Sequence, residues 1–109
     1  TDDPEQCMDL LLDWRKMKYT ELADAIDLSE RTIRRTVSGE TTPRVENAVR
    51  ICFALHLPTA ISEKLLEVLS CKLKPTDPNH QWIKEALYLK YSESYDAVCE
   101  WLLDYGVEL

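Results

Sequence analysis

Glycine and strand-forming sequence are both scarce in this chain, which has only two glycines among its 109 residues. It lacks the runs of alternating β-branched and aromatic residues that are typical of a β-sandwich. These two shortages exclude a fold made of short strands and tight turns. The length corresponds to one domain with a small appendage, and an apolar content of 45% can supply its core. We therefore predict an all-α fold.

Signals for membrane insertion, export and catalysis are also missing. No apolar run approaches the ~20 residues of a bilayer-spanning helix, and no charged segment followed by an apolar one indicates a secretory signal. There is no glycine-rich phosphate loop and no recognisable nucleophile motif. The sequence thus predicts a cytoplasmic protein that is not an enzyme and has no cofactor, small-molecule substrate or membrane partner. The start at Thr1 keeps open that the chain is a fragment of a longer protein.

Cysteine and histidine are present without the spacing that metal or redox sites require. We expect buried free thiols in a reducing cytoplasm, with a disulfide as the minority alternative, and we expect both histidines at the surface or its boundary. The residues concerned are Cys7, Cys52, Cys71, Cys99, His56 and His80.

The net charge of −7 argues at first against nucleic acid, but its distribution is uneven. The segment from Arg15 to Arg50 holds eight basic and six acidic residues, whereas the rest of the chain holds five basic and fourteen acidic ones. Basic charge is therefore concentrated in one segment. We expect weak nonspecific affinity for DNA, because few phosphates can be neutralised.

Helical periodicity, caps and prolines predict seven helices. Two prolines within the segment KPTDPN at 74–79 indicate a linker. It divides the chain into a five-helix domain at 1–75 and a two-helix extension at 76–109. The first helix is expected to bury a stripe of Cys7, Leu11 and Trp14, with Met8 and Leu12 beside it. The predicted helices lie at about 4–17, 20–26, 29–38, 44–55, 59–72, 78–91 and 95–105.

The third predicted helix has two different faces. Ser29 is a good N-cap and Gly39 a good C-terminal stop, while Ile33 and Val37 point to the core. The opposite face follows i, i+3, i+4, i+7 spacing and carries Arg31, Arg34, Arg35 and Ser38. Arginine can grip guanine O6 and N7 with two hydrogen bonds, and it can clamp a phosphate. A solvated face with surface ion pairs is the alternative.

The stretch from Leu22 to Leu57 resembles the lambda-repressor-like, Cro/C1-type (XRE) helix-turn-helix family. The match rests on Leu22-Ala23, Leu28-Ser29, Thr32-Ile33, Gly39, Pro43 and the closing run Arg50-Ile51-Cys52-Phe53-Ala54-Leu55. The resemblance implies a five-helix domain that places its third helix in the major groove of double-stranded DNA.

The resemblance also implies roles for individual residues. Base contacts are expected from Glu30, Arg31 and Arg35. Thr32 is expected to contact a methyl group or a phosphate, and Arg34 is expected to face the DNA backbone. Tyr19 replaces a glutamine that clasps a phosphate. The complete set of expected DNA-binding residues is Tyr19, Ser29, Glu30, Arg31, Thr32, Arg34, Arg35, Ser38, Thr41, Thr42 and Arg44.

Several residues depart from the family pattern. Asp27 replaces the turn glycine, and aspartate tolerates the left-handed conformation better than most residues. Lys18 replaces a capping threonine, so the second helix is expected to begin less well. Leu12 and Val37 replace an arginine–glutamate pair, and two apolar residues can substitute for a buried ion pair without loss of stability.

The sequence is interpreted as a bacterial or phage-type transcription regulator that binds DNA as a homodimer. The alternative is a protein-interaction or dimerisation module that keeps the scaffold and no longer binds DNA, and the net charge favours it. The aromatic residues of the extension fit either core packing or a dimer surface. They are Trp82, Tyr88, Tyr91, Tyr95 and Trp101.

Overall fold

A computed structural model describes residues 2–39 and 42–109, and all regular structure in these ranges is helical. The all-α prediction and the number of helices are confirmed, with the helix-turn-helix region in the N-terminal part. None of the described helices is long and apolar enough to cross a membrane. The helices are α1 (Pro4–Arg15), α2 (Tyr19–Ile26), α3 (Glu30–Ser38), α4 (Val45–Ala54), α5 (Thr59–Val68), α6 (Pro78–Leu89) and α7 (Tyr95–Asp104).

Side-chain caps fix the start of four helices. Asp3 accepts from the Glu5 N–H, and Asp77 accepts from the Asn79 N–H, each just before a proline that opens α1 or α6. Ser29 and Ser94 cap α3 and α7 in the same way. Each cap satisfies an N–H group that has no partner within the helix.

Just after four of the helices, a non-glycine residue takes a positive φ. The apolar residue that follows it donates its N–H to a carbonyl in the last turn of the helix. At the end of α5, Ser70 has a φ of 59°. The Cys71 N–H then donates to the Leu66 carbonyl at 2.8 Å, which is the Schellman arrangement. The fifth helix is therefore shorter than the predicted 59–72. The equivalent positive-φ residues after α1, α2 and α4 are Lys16, Asp27 and His56.

One hydrophobic core joins all seven helices, with α4 at its centre. The α4 side chains that have no exposed surface include Val49, Ile51 and Phe53. Helix α4 packs against α2, α3 and α5 of the predicted N-terminal domain and also against α6 and α7 of the extension. The division into 1–75 and 76–109 stays a prediction, although Ile83 and Leu102 of the extension lie in the same core.

The buried stripe of α1 differs from the predicted one. Met8 and Leu12 are buried, whereas Cys7 and Leu11 are only half-buried and Trp14 is 50% exposed. Met8 and Leu12, which were expected beside the stripe, are thus its centre, and the prediction that Trp14 is buried is wrong. Trp14 instead stacks with the Arg15 guanidinium, whose carbon lies 3.9 Å from the ring centroid.

The four cysteines are free thiols, as expected from their spacing. Cys52 and Cys71 are buried, and Cys7 and Cys99 are half-buried. Burial raises the pKa of the Cys52 thiol to about 12. This thiol therefore stays protonated at neutral pH and acts as a small apolar side chain.

Candidate nucleic-acid interface

The turn between α2 and α3 is three residues long and is held by its backbone. Asp27 takes the left-handed conformation with φ 54° and ψ 40°, as its replacement of glycine predicts. The Leu28 N–H returns to the Ala23 carbonyl at 3.2 Å, and Leu28 packs against the core. The chain is thereby redirected at once into α3, which begins at Glu30.

Helix α3 lies on the bundle with its apolar face inward. Ile33 and Val37 are 0% and 2% exposed. Thr36 is also buried, and its hydroxyl donates to the Thr32 carbonyl at 2.9 Å. The side chains of Arg31, Arg34 and Arg35 are exposed on the other face. The predicted two-faced character of this helix is therefore present in the structure.

Arg31 and Arg35 have no carboxylate partner within 4 Å in the ranges 2–39 and 42–109. They are separated by one helical turn and line a shallow concave surface together with Glu30, Arg34 and Ser38. Two guanidinium groups on one edge of an exposed helix can reach successive hydrogen-bonding groups in a groove. This geometry suits base edges in double-stranded DNA.

Arg34 differs from the other two arginines because it already has partners. Its Nε and Nη2 atoms donate to Glu30 Oε1 at 3.1 and 2.9 Å. Its guanidinium carbon also lies 4.1 Å from the centroid of the Tyr19 ring. Both members of the ion pair are substantially exposed, so the pair is weak and exchangeable. Glu30 and Arg34, both expected to contact DNA, thus offset each other's charge within the protein.

Tyr19 at the start of α2 connects α3 to α1. Its hydroxyl lies 3.5 Å from Asp9 Oδ1. Partial burial, and then the Asp9 carboxylate, raise the pKa of Tyr19. The phenol is therefore protonated at neutral pH and can donate a hydrogen bond. Sequence reasoning identified Tyr19 but missed Asp9, because the crossing of α1 and α2 has no local sequence signal.

The start of α2 is better held than the substitution of threonine by Lys18 suggests. The Lys18 N–H donates to Glu21 Oε1 at 3.2 Å, which is one half of a capping box. The acidic side chain in the first turn also faces the positive end of the helix. The Lys18 side chain makes no cap hydrogen bond, as expected from the loss of threonine, and Glu21 holds the helix start in its place.

The segment after α3 is only partly described. Thr41 was expected to contact DNA, and it lies outside the described residues. Thr42 and Arg44 are exposed, and Arg44 occupies the N-cap position of α4. The DNA contacts expected from Thr42 and Arg44 stay predictions.

Ser29 supports the interface through its cap. Its Oγ accepts from the Thr32 N–H at 3.1 Å and lies 2.8 Å from Thr32 Oγ1. We expect Ser29→Ala to lower the free energy of unfolding by about 1 kcal/mol, because an N-terminal N–H of α3 loses its partner. Denaturant unfolding measures this loss. Ser29→Asp is the matched control and should retain most of the stability, since aspartate also caps.

The two histidines and several aromatic residues of the extension have partners outside α3. His56 Nδ1 is 3.1 Å from the Tyr91 carbonyl, and His80 Nδ1 accepts from the Lys74 N–H at 2.8 Å. Within the described ranges, no group of three metal-ligating side chains is found. Trp82 and Tyr105 stack at 3.9 Å, and Trp101 meets Trp82 edge-on at 5.9 Å, so part of the aromatic set joins α6 to α7.

Comparison with known proteins finds one family. Residues 8–60 match the model of the Cro/C1-type helix-turn-helix DNA-binding domain. The match includes most of α1, all of α2 to α4, the turn before α3 and the start of α5. No curated protein and no solved structure matches the chain.

Proposed function

Since residues 8–60 form a Cro/C1-type helix-turn-helix DNA-binding domain, we propose that the protein is a sequence-specific transcription regulator that inserts α3 into the major groove. The observation that carries this proposal is the exposure of Arg31 and Arg35 without an internal carboxylate partner among the described residues. Arginine forms the commonest specific contact to guanine, through O6 and N7. The proposed role is binding rather than catalysis, in the cytoplasm.

We assign different roles to the residues around these two arginines. Arg34 is placed beside Tyr19 at the start of α2, where both can contact a phosphate. When Arg34 moves to a phosphate, Glu30 is released and can accept from cytosine N4. Ser29, Thr32, Ser38, Thr41, Thr42 and Arg44 complete the proposed contact surface.

Dimerisation is part of the proposal because one domain has few cations. A pair of domains would read half-sites about 34–36 Å apart, one turn of the duplex. Three large apolar side chains on the extension are more than half exposed and are suited to the dimer contact. They are Tyr88, Leu89 and Leu103.

Selection from a random duplex pool at low salt tests this function. The expected result is enrichment of one motif that contains guanines, in two half-sites spaced by one helical turn. Recovery of the pool without a motif would contradict sequence-specific binding. A single half-site would retain the DNA-binding proposal and remove the dimer.

Glu30→Gln is expected to change one base of that motif. Glutamate accepts from cytosine N4, whereas glutamine pairs with adenine N6 and N7. We therefore expect cytosine to be replaced by adenine at a single position in a repeated selection. Glu21→Gln makes the same chemical change on α2 and should leave the motif unchanged. An unaltered motif with Glu30→Gln would exclude a base contact by Glu30.

The second candidate function is a protein-interaction module without DNA binding. The Glu30–Arg34 pair favours it, because one of the three cations on α3 is already neutralised. The net charge of −7 favours it as well. The same selection separates the two functions, since an interaction module enriches no motif.

A further inference from the structure

A cleft between α5 and α6 lies outside the helix-turn-helix surface and has no role in DNA binding as proposed. Its volume is about 370 Å³, which is near the lower end of the range for small-ligand sites. The loop that joins the two helices closes one side of it. The apolar lining includes Leu66, Leu73, Leu87 and the exposed side chain of Tyr88.

Lysines are concentrated at this cleft in an otherwise acidic part of the chain. Outside Arg15 to Arg50 there are only five basic residues, all of them lysine. Lys64 and Lys90 are paired with Asp2 and Glu93. The other three lysines line the cleft, are exposed, and have no carboxylate within 4 Å among the described residues. They are Lys72, Lys74 and Lys84.

The acidic residues at the cleft lie on one wall. Glu63 and Glu67 belong to α5. The hydrogen bond with Asp2 raises the pKa of Lys64, and the charge of Glu67 adds to this effect. The three unpaired lysines occupy the loop and α6. The lysines therefore favour an anionic group of the ligand on the side of the loop and α6. Glu63 and Glu67 would repel a second negative charge near α5.

We propose that this cleft binds a small monocarboxylate with an apolar body. The apolar body lies against Leu66, Leu73 and Leu87, and the carboxylate accepts hydrogen bonds from the lysines at the loop and α6. Transfer of the apolar body from water supplies most of the affinity, and the charge-assisted hydrogen bonds select an acid over a neutral molecule. The site does not include α3, and it shares only Tyr88 with the surface proposed for dimerisation.

Calorimetric titration of the full chain with sodium decanoate and with 1-decanol tests the site. We expect saturable binding of one decanoate. 1-Decanol should bind at least about tenfold more weakly, because the alcohol cannot form the hydrogen bond between charged groups that contributes this factor to the affinity. No saturable binding of decanoate, or equal binding of the alcohol, would overturn the proposal.

Lysine variants locate the carboxylate. Combined replacement of Lys72, Lys74 and Lys84 by alanine should weaken decanoate binding by about tenfold or more and leave the alcohol unaffected. The control Lys64→Ala/Lys90→Ala removes lysines from outside the cleft and should change binding less than about twofold. Equal effects of the two sets would mean nonspecific attraction and would contradict the site.

NMR mapping on the wild type needs no variant and keeps the test valid if a variant fails to fold. Decanoate should shift the methyl signals of Leu66, Leu73 and Leu87 more than those of Leu22, which is buried elsewhere in the core. Shifts confined to other parts of the molecule would overturn the assignment.

Discussion

Val37→Glu is expected to lower the free energy of unfolding by about 3–5 kcal/mol, which is a large part of the stability of a small domain. Val37 is 2% exposed and Leu12 of α1 is 5% exposed. A carboxylate at position 37 would be buried without a cation to compensate it. Thermal unfolding should show a decrease of roughly 12 °C or more in the melting temperature.

A double-mutant cycle shows whether positions 12 and 37 are coupled. Leu12→Arg/Val37→Glu rebuilds the ion pair that the family often has, and it should be more stable than the sum of the two single changes predicts. Val37→Ala is the control for lost volume and should cost only about 2 kcal/mol. An unchanged melting temperature for Val37→Glu would mean that α3 does not pack as described.

Loss of Arg31 or Arg35 is expected to have the largest effect on DNA binding. Arg31→Ala and Arg35→Ala should each weaken binding to the selected duplex by about 10–100-fold, since a bidentate contact to guanine contributes ~1–3 kcal/mol. Fluorescence anisotropy at one fixed salt concentration measures this loss. Neither substitution should alter stability appreciably, because both side chains are exposed.

Two substitutions provide the comparison for that result. Lys64→Ala removes one positive charge far from α3 in sequence and should change affinity little. Arg34→Ala should weaken binding to all DNA sequences to a similar degree, as expected for a phosphate contact. Equal losses for all four variants would mean that net charge, rather than base contact, determines the affinity.

Local sequence signals predicted much of the fold. Asp3-Pro4, Ser29 and Ser94 each cap a helix, because the Asp and Ser side chains satisfy N–H groups close in sequence. The end of α5 was harder to predict, since Ser70 is not a residue that usually marks a helix end. It depends on Cys71 being buried behind the last turn, which is a tertiary effect.

At the candidate site, the contacts between different helices could not be predicted from the sequence. The Glu30–Arg34 pair has i, i+4 spacing and follows from the sequence. The stacking of Arg34 on Tyr19 and the approach of Tyr19 to Asp9 join residues of different helices. Likewise, the choice between the Met8 and Cys7 stripes of α1 depends on how α1 sits on the bundle.

Parallel selections with wild type, Arg31→Ala and Arg35→Ala test base recognition by α3 most directly. We expect the wild type to enrich one motif and each variant to relax the preference for guanine at a different single position. The same motif from all three proteins, or no motif from any of them, would contradict this expectation.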